Sequence, residues 1–231
     1  MSKQYTVLVL DASGSMGSIR DEAIEAFNEQ LKDIRKVAKS EDIHPRIGLV
    51  KFGTDVQKID IWDSPVSKVN NLKKKDYRVS GMTAMLDGVG TAIDKLLELD
   101  DINDKGTSVL INIISDGEEN NSKEYSFETL AAKIKELTAT GRWTFTYTGA
   151  NQDLSVVSER MNIPKGNTLS FTADSHGMKM SNRSRSVATS GYFSGLTEEL
   201  ARGGTSYSSS GFFASGKKDS KDSKASVKIT N

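Results

Sequence analysis

Cysteine is absent from the 231 residues. Its absence excludes disulfide frameworks, thiolate nucleophiles and cysteine–zinc sites, and suits a reducing compartment. Histidine is nearly absent: His44 stands beside Pro45 and His176 lies in a polar C-terminal stretch. Neither context favours a general base. An excess of one charge is also missing, because 31 Lys and Arg balance 31 Asp and Glu. No global field therefore favours nucleic acid or an anionic membrane. No apolar run is long enough to span a bilayer, and Met1-Ser2-Lys3-Gln4 leads straight into a strand pattern, so a cytoplasmic protein without a signal peptide is expected. There is no G-x-x-x-x-G-K-[ST], no G-x-G-x-x-G after a strand and no G-x-S-x-G elbow, so the common phosphate-cradling and acyl-transfer motifs are excluded.

What is present is a regular alternation of strand and helix patterns from Tyr5 to about Thr172. The run Tyr5-Thr6-Val7-Leu8-Val9-Leu10 reads as a buried strand. Ile19, Ala23, Phe27, Leu31, Ile34 and Ala38 then recur at helical spacing. Residues 47–52 form a second apolar run, and Phe52-Gly53-Thr54-Asp55-Val56 reads as a hairpin turn into a third strand ending near Trp62. Ser64-Pro65 is expected to open a short helical stretch, and 72–78 to be a basic surface loop. Further strands are expected at 108–115, 143–148 and 168–171, separated by helices carrying Leu86 to Leu97, Phe127 to Leu137 and Leu154 to Met161. The fold class is α/β: a Rossmann-like, doubly wound, mostly parallel six-stranded sheet with one antiparallel edge strand and helices on both faces.

Residues 1–172 are expected to form the domain, and 173–202 a helical extension on or next to it through Tyr192, Phe193, Leu196 and Leu200. Residues 203–231 read as a flexible Gly/Ser/Lys-rich tail that buries too little apolar surface to order itself. Phe212-Phe213 and the closing Val227-Lys228-Ile229-Thr230 stand out within it, as anchors, as an added strand, or as part of a disordered terminus.

Chemistry concentrates where strands end. Asp11-Ala12-Ser13-Gly14-Ser15 closes the first strand, Ser80-Gly81-Met82-Thr83-Ala84 precedes a helix, and Ser115-Asp116-Gly117-Glu118-Glu119-Asn120 follows the most apolar strand. Open α/β sheets bind ligands at such carboxyl ends. Hydroxyls and carboxylates without imidazole suit Mg²⁺, Mn²⁺ or Ca²⁺ rather than zinc or copper. Taken singly, Asp11 and Ser13 could cap the following helix, and Asp116-Gly117 could be a turn; capping alone does not account for Thr83 and Asp116 as well. Glu118 and Glu119 read as solvated, Asp87, Asn151 and Asp153 as caps, Asp55 as a turn residue and Lys73-Lys74-Lys75 as a solvated face.

The three segments resemble, in order and placement, the metal-ion-dependent adhesion site of von Willebrand factor A domains, over Tyr5 to Phe171. The resemblance implies that Ser13, Ser15 and Thr83 bind a divalent metal through their hydroxyls. Asp11 and Asp116 would act mainly through waters and the serine hydroxyls. It implies Mg²⁺ or Mn²⁺, with Ca²⁺ fitting two carboxylates less well, and a protein partner that offers an Asp or Glu side chain. Met82 stands where glycine is frequent, and with Glu118 it is expected to touch the partner.

The leading expectation is thus a non-enzymatic, cation-dependent protein-binding module that uses neither nucleic acid nor membrane. An assembly protein of a bacteriophage particle or a bacterial stress-response complex is the alternative, with tail contacts and incorporation in a virion. A metal-dependent phosphatase-like enzyme is a third reading. Aspartyl phosphatases, however, place a second carboxylate two residues after the first, where this chain has Ser13.

Overall fold

The computed structural model describes residues 3–41, 43–150 and 154–214. Asn151, Asp153 and residues 227–230, singled out above, lie outside them. The strands are β1 (Lys3–Asp11), β2 (Arg46–Phe52), β3 (Ile61–Pro65), β4 (Thr107–Ser115), β5 (Trp143–Ala150) and β6 (Thr168–Phe171). They form one sheet in the order β3-β2-β1-β4-β5-β6, parallel except for the edge pairing of β3 with β2.

The helices are α1 (Arg20–Ser40), α2 (Met85–Leu97), α3 (Phe127–Ala139), α4 (Leu154–Met161) and α5 (Ser175–Ala201). Alternate residues of each strand point to opposite faces, which divides the core in two. Leu8, Leu10, Leu110 and Ile114 pack with α1 and α5, while Tyr5, Val7, Val9, Ile111 and Ile113 pack with α2, α3 and α4. Both faces being covered explains why β1 and β4 read as near-continuous apolar runs.

The chain winds outward from β1 through β2 to β3, then crosses back to place β4 on the other side of β1. The strand order therefore reverses between β1 and β4. Their carboxyl ends are aligned, with Leu10 opposite Ile114.

Several elements depart from expectation. The edge strand covers Ile61–Pro65, so Ser64-Pro65 closes it, and the short helical stretch that Pro65 opens is one 3₁₀ turn, Val66–Lys68. Phe52 and Val56 form one isolated antiparallel bridge rather than a full hairpin. The 72–78 loop is not all surface, since Leu72 and Tyr77 are buried.

Helix α5 runs the whole of Ser175–Ala201, whereas the apolar signal within the helical extension expected over 173–202 is confined to Tyr192, Phe193, Leu196 and Leu200. Its first half presents Ser181, Asn182, Arg185 and Thr189 inward, so an apolar stripe is missing there. Gly203–Ala214, expected as the start of a flexible tail, is laid against the domain. Its backbone N–H groups at Tyr207, Ser209 and Phe212 donate to Ser108 Oγ, Thr144 Oγ1 and Asn167 Oδ1 at 2.7–2.8 Å. Phe212 and Phe213 are buried among the aromatics Tyr192 and Phe193. These two anchors order a segment whose composition argues for disorder. Among the described residues no helix is long and apolar enough to cross a membrane.

Candidate metal centre

Each of the three segments is positioned by backbone bonds. The first crosses onto the neighbouring strand: Ala12 N–H donates to Phe52 O at 2.6 Å, and Ala12 O accepts from Ser80 N–H at 2.9 Å. Gly14 N–H donates to Gly81 O at 3.0 Å, joining the first and second segments. The second is pinned to the third, because Thr83 N–H donates to Asn120 Oδ1 at 2.9 Å while Thr83 O accepts from Asn120 and Asn121 N–H. Gly81 has φ +76°, and Thr54 Oγ1 occupies the place of a Cβ there, so glycine is required. Met82 carries no such demand. It stands on the rim, 48% exposed.

These constraints bring the expected oxygens together. Ser13 N–H donates to Asp11 Oδ1 at 2.7 Å, and Ser115 Oγ donates to Asp11 Oδ2 at 2.6 Å. Ser13 and Ser15 Oγ are 3.0 Å apart, and Ser15 Oγ donates to Asp116 Oδ1 at 2.7 Å. A Cβ built on Gly117 would lie 3.1 Å from Thr83 Oγ1, 3.5 Å from Ser15 Oγ and 3.9 Å from Asp11 Oδ2. Oxygens from all three segments thus face one small space, kept open because residue 117 is glycine.

Asp11 is fully buried, and burial pushes its carboxyl up to about 6, partly opposed by the Ser115 and Ser13 hydrogen bonds and reinforced by the charge of Asp116. Burial likewise raises Asp116, with Ser15 opposing. Among the described residues neither carboxylate is in an ion pair. A buried anion without a counter-charge is costly; a divalent cation is the natural relief. No three His, Cys, Asp or Glu among the described residues converge on one point. The donor set is therefore two carboxylates plus hydroxyls, a hard-oxygen set of the kind magnesium and manganese take.

Other residues near the site act differently from expectation. Glu119 is not solvated: its carboxylate accepts from Leu86, Asn121 and Ser122 N–H and from Ser122 Oγ at 2.8–2.9 Å. Asp87 caps no helix but accepts from the N–H groups of Lys123, Glu124 and Tyr125. Glu118 is exposed, on the lip of a groove with Met85, Phe127 and Arg160. Tyr77 was not expected at all. Its buried hydroxyl donates to Asp11 O from beneath, while its carbonyl accepts from Arg20 Nε at 3.0 Å. No local pattern marks Tyr77, and none shows that Ser115, though part of the third segment, reaches Asp11; their partners lie 66 and 104 residues away in the chain.

No protein-family model and no curated protein matches the sequence. Solved structures do match in shape. The pilus adhesin SpaC of Lactobacillus rhamnosus GG, in an open conformation, superposes with TM-score 0.61 at 11% identity, over 84% of this chain and 30% of that one. Proximal thread matrix protein 1 of the mussel byssus gives 0.51 at 13% identity, over 79% and 44%. Manganese-loaded TRAP protein of Plasmodium vivax gives 0.50 at 19% identity, over 76% and 69%. The chain thus spans less than half the length of the adhesin and byssus structures. The fold is of von Willebrand factor A type.

Proposed function

We propose that this chain is a non-enzymatic protein-binding module whose ligand contact is a divalent cation held by Asp11, Ser13, Ser15, Thr83 and Asp116. The observation that carries this reading is the convergence of hydroxyl and carboxylate oxygens from three segments on the space beside Gly117. A cation bound there supplies a Lewis-acidic position for an anionic oxygen. Ser13, Ser15 and Thr83 would hold it through neutral hydroxyls. Asp116 would orient the Ser15 hydroxyl, and Asp11 would fix the Ser13 backbone, through the hydrogen bonds already present. Because the direct ligands would be neutral hydroxyls and the two carboxylates would act at one remove, the ion would keep an affinity for an anionic ligand, which favours an Asp or Glu side chain from a protein partner. Mg²⁺ or Mn²⁺ suits the set better than Ca²⁺. The manganese-loaded state of the Plasmodium structure supports a divalent ion in this fold.

The surroundings agree with binding rather than turnover. His44 precedes β2, at the opposite pole from the strand ends that carry the site, and His176 lies in the first turn of α5, which follows the edge strand β6, two strands removed from β4. Exposed Met82 and Glu118 flank the site, where a partner's surface would rest. The test is a pull-down from host extract with Mg²⁺ and with EDTA, repeated with Asp11→Ala. Proteins retained only by the wild type in Mg²⁺ are expected. Identical sets in all conditions would sink the reading.

A further inference from the structure

A second site lies at the sheet edge, between β3 and the 66–76 loop. A cleft of about 490 Å³ opens there, with Leu49, Ile61, Val69 and Leu72 as its apolar walls. An adjoining hollow shares Asn70, Asn71 and Asp76 with it. This is the size and mixture of apolar wall and few polar groups that small-molecule sites show.

Its distinctive feature is Lys51. This lysine is 7% exposed and lines the cleft. An ammonium has three donors, yet its one hydrogen-bond partner among the described residues is the Asp76 carbonyl, at 2.7 Å. Neither it nor the lining Lys68, Lys73 and Lys75 is in an ion pair among the described residues. The two lining carboxylates are engaged elsewhere. Asp60 pairs with Lys58 at 3.2 Å, and Asp76 Oδ2 accepts from Lys73 N–H. A nearly buried cation with spare donors, at an apolar cleft rimmed by further unpaired lysines, lacks an anion.

We propose that this cleft binds a small amphipathic anion, its phosphate or carboxylate head on Lys51 and Lys68 and its apolar body against Ile61, Val69 and Leu72. The inference does not rest on the metal reading. It carries a corollary for that site: Asp76, whose carbonyl holds Lys51, adjoins Tyr77, whose hydroxyl supports Asp11.

The test is a titration of the full ¹⁵N-labelled chain in EDTA, where no metal can capture the anion. The probes are phenyl phosphate, phenylacetate and, as the neutral control, phenol. Saturable amide shifts confined to residues 49–51, 60–61 and 68–76 are expected with at least one anion and not with phenol, and the stronger of the two names the head group. Lys51→Met should weaken binding at least tenfold and exposed Lys68→Ala several-fold. Lys68→Ala keeps the test decisive should Lys51→Met fail to fold. Absence of saturable shifts there, shifts centred on the 11–15 or 115–120 segments, or undiminished affinity in folded variants would overturn the proposal.

Discussion

The carboxyl of Asp11 carries the sharpest consequence at the scale of single residues. Its pKa in the folded, metal-free chain is about 6 against an ordinary 3.8, because burial disfavours the charge. The folded state therefore binds this proton more tightly than the unfolded state. Stability from this group is greatest below pH 4, declines as pH rises through 4 to 6, and stays low above; the full loss is roughly 3 kcal/mol. Urea unfolding in EDTA is expected to show Asp11→Asn gaining on the wild type by up to about that amount between pH 4 and 7. Parallel pH profiles for the two proteins would contradict it. Saturating Mg²⁺ should erase the difference, since a ligand of the folded state adds its own stabilisation. Gly117→Ala tests the space itself. Its methyl would sit 3.1 Å from Thr83 Oγ1, and Mn²⁺ affinity by calorimetry should fall at least tenfold while stability changes by only about 1 kcal/mol. Unchanged manganese binding would place the ion elsewhere.

Between elements, polar groups are the decisive contacts in two places. Glu119 ties the third segment to the start of α2 through Leu86 N–H and closes its own loop through Asn121 and Ser122. Glu119→Ala leaves those donors unpaired and should cost about 2–3 kcal/mol in denaturant unfolding, as hydrogen bonds to charged groups do. The seam where α5 meets α1 behaves oppositely. Arg185 is buried, its pKa is lowered to about 10 by desolvation, and its Nη1 has no partner among the described residues. Both side-chain polar atoms of Gln30 on α1 and Thr189 Oγ1 on α5 are likewise unpaired. Arg185 Nη2 does donate to Asn182 Oδ1 and the charge of Glu29 partly offsets the desolvation, but replacing an incompletely paired buried charge by an apolar side chain of similar volume is often stabilising. Arg185→Met is therefore expected to raise stability by about 1–2 kcal/mol, or roughly 2–8 °C in Tm by calorimetry; a lower Tm would show that the guanidinium is satisfied in solution. The same seam explains what the sequence conceals. β1, β4 and β5 are legible because both their faces are buried, and α1 and α2 because each carries an apolar stripe. α5 has polar residues where the stripe should be, so only its Tyr192–Leu200 end carries an apolar signal, although a helical extension is expected over 173–202. Asp11, Ser13, Ser15, Thr83 and Asp116 are legible because each sits at a strand end or before a helix. The roles of Tyr77, Ser115, Glu119 and Asp87 are not, since they depend on partners 33 to 104 residues away.

For the molecule as a whole, the parallel sheet separates two poles. The oxygens of the candidate metal centre gather at the carboxyl ends of β1 and β4. The Gly203–Ala214 segment instead crosses the amino-terminal ends of β4, β5 and β6, where Ser108, Thr144 and Asn167 receive its N–H groups. Phe213 N–H adds a bond to Gly166 O at 2.9 Å, and Phe212 packs on Tyr192 of α5 with ring centroids 6.0 Å apart. This segment is thus a strap that closes the bottom of the core and fastens the end of α5. Truncating Phe212 opens a cavity beneath that strap, and such losses cost about 3–5 kcal/mol. Phe212→Ala is expected to lower the urea midpoint accordingly, yet to leave Mn²⁺ affinity within twofold of wild type, because the site is held by bonds among the 12–15, 52–54 and 80–84 stretches and the 115–122 loop. A parallel fall in manganese affinity below the unfolding transition would mean that the poles communicate through α5, and that the strap belongs to the binding machinery rather than only to the core.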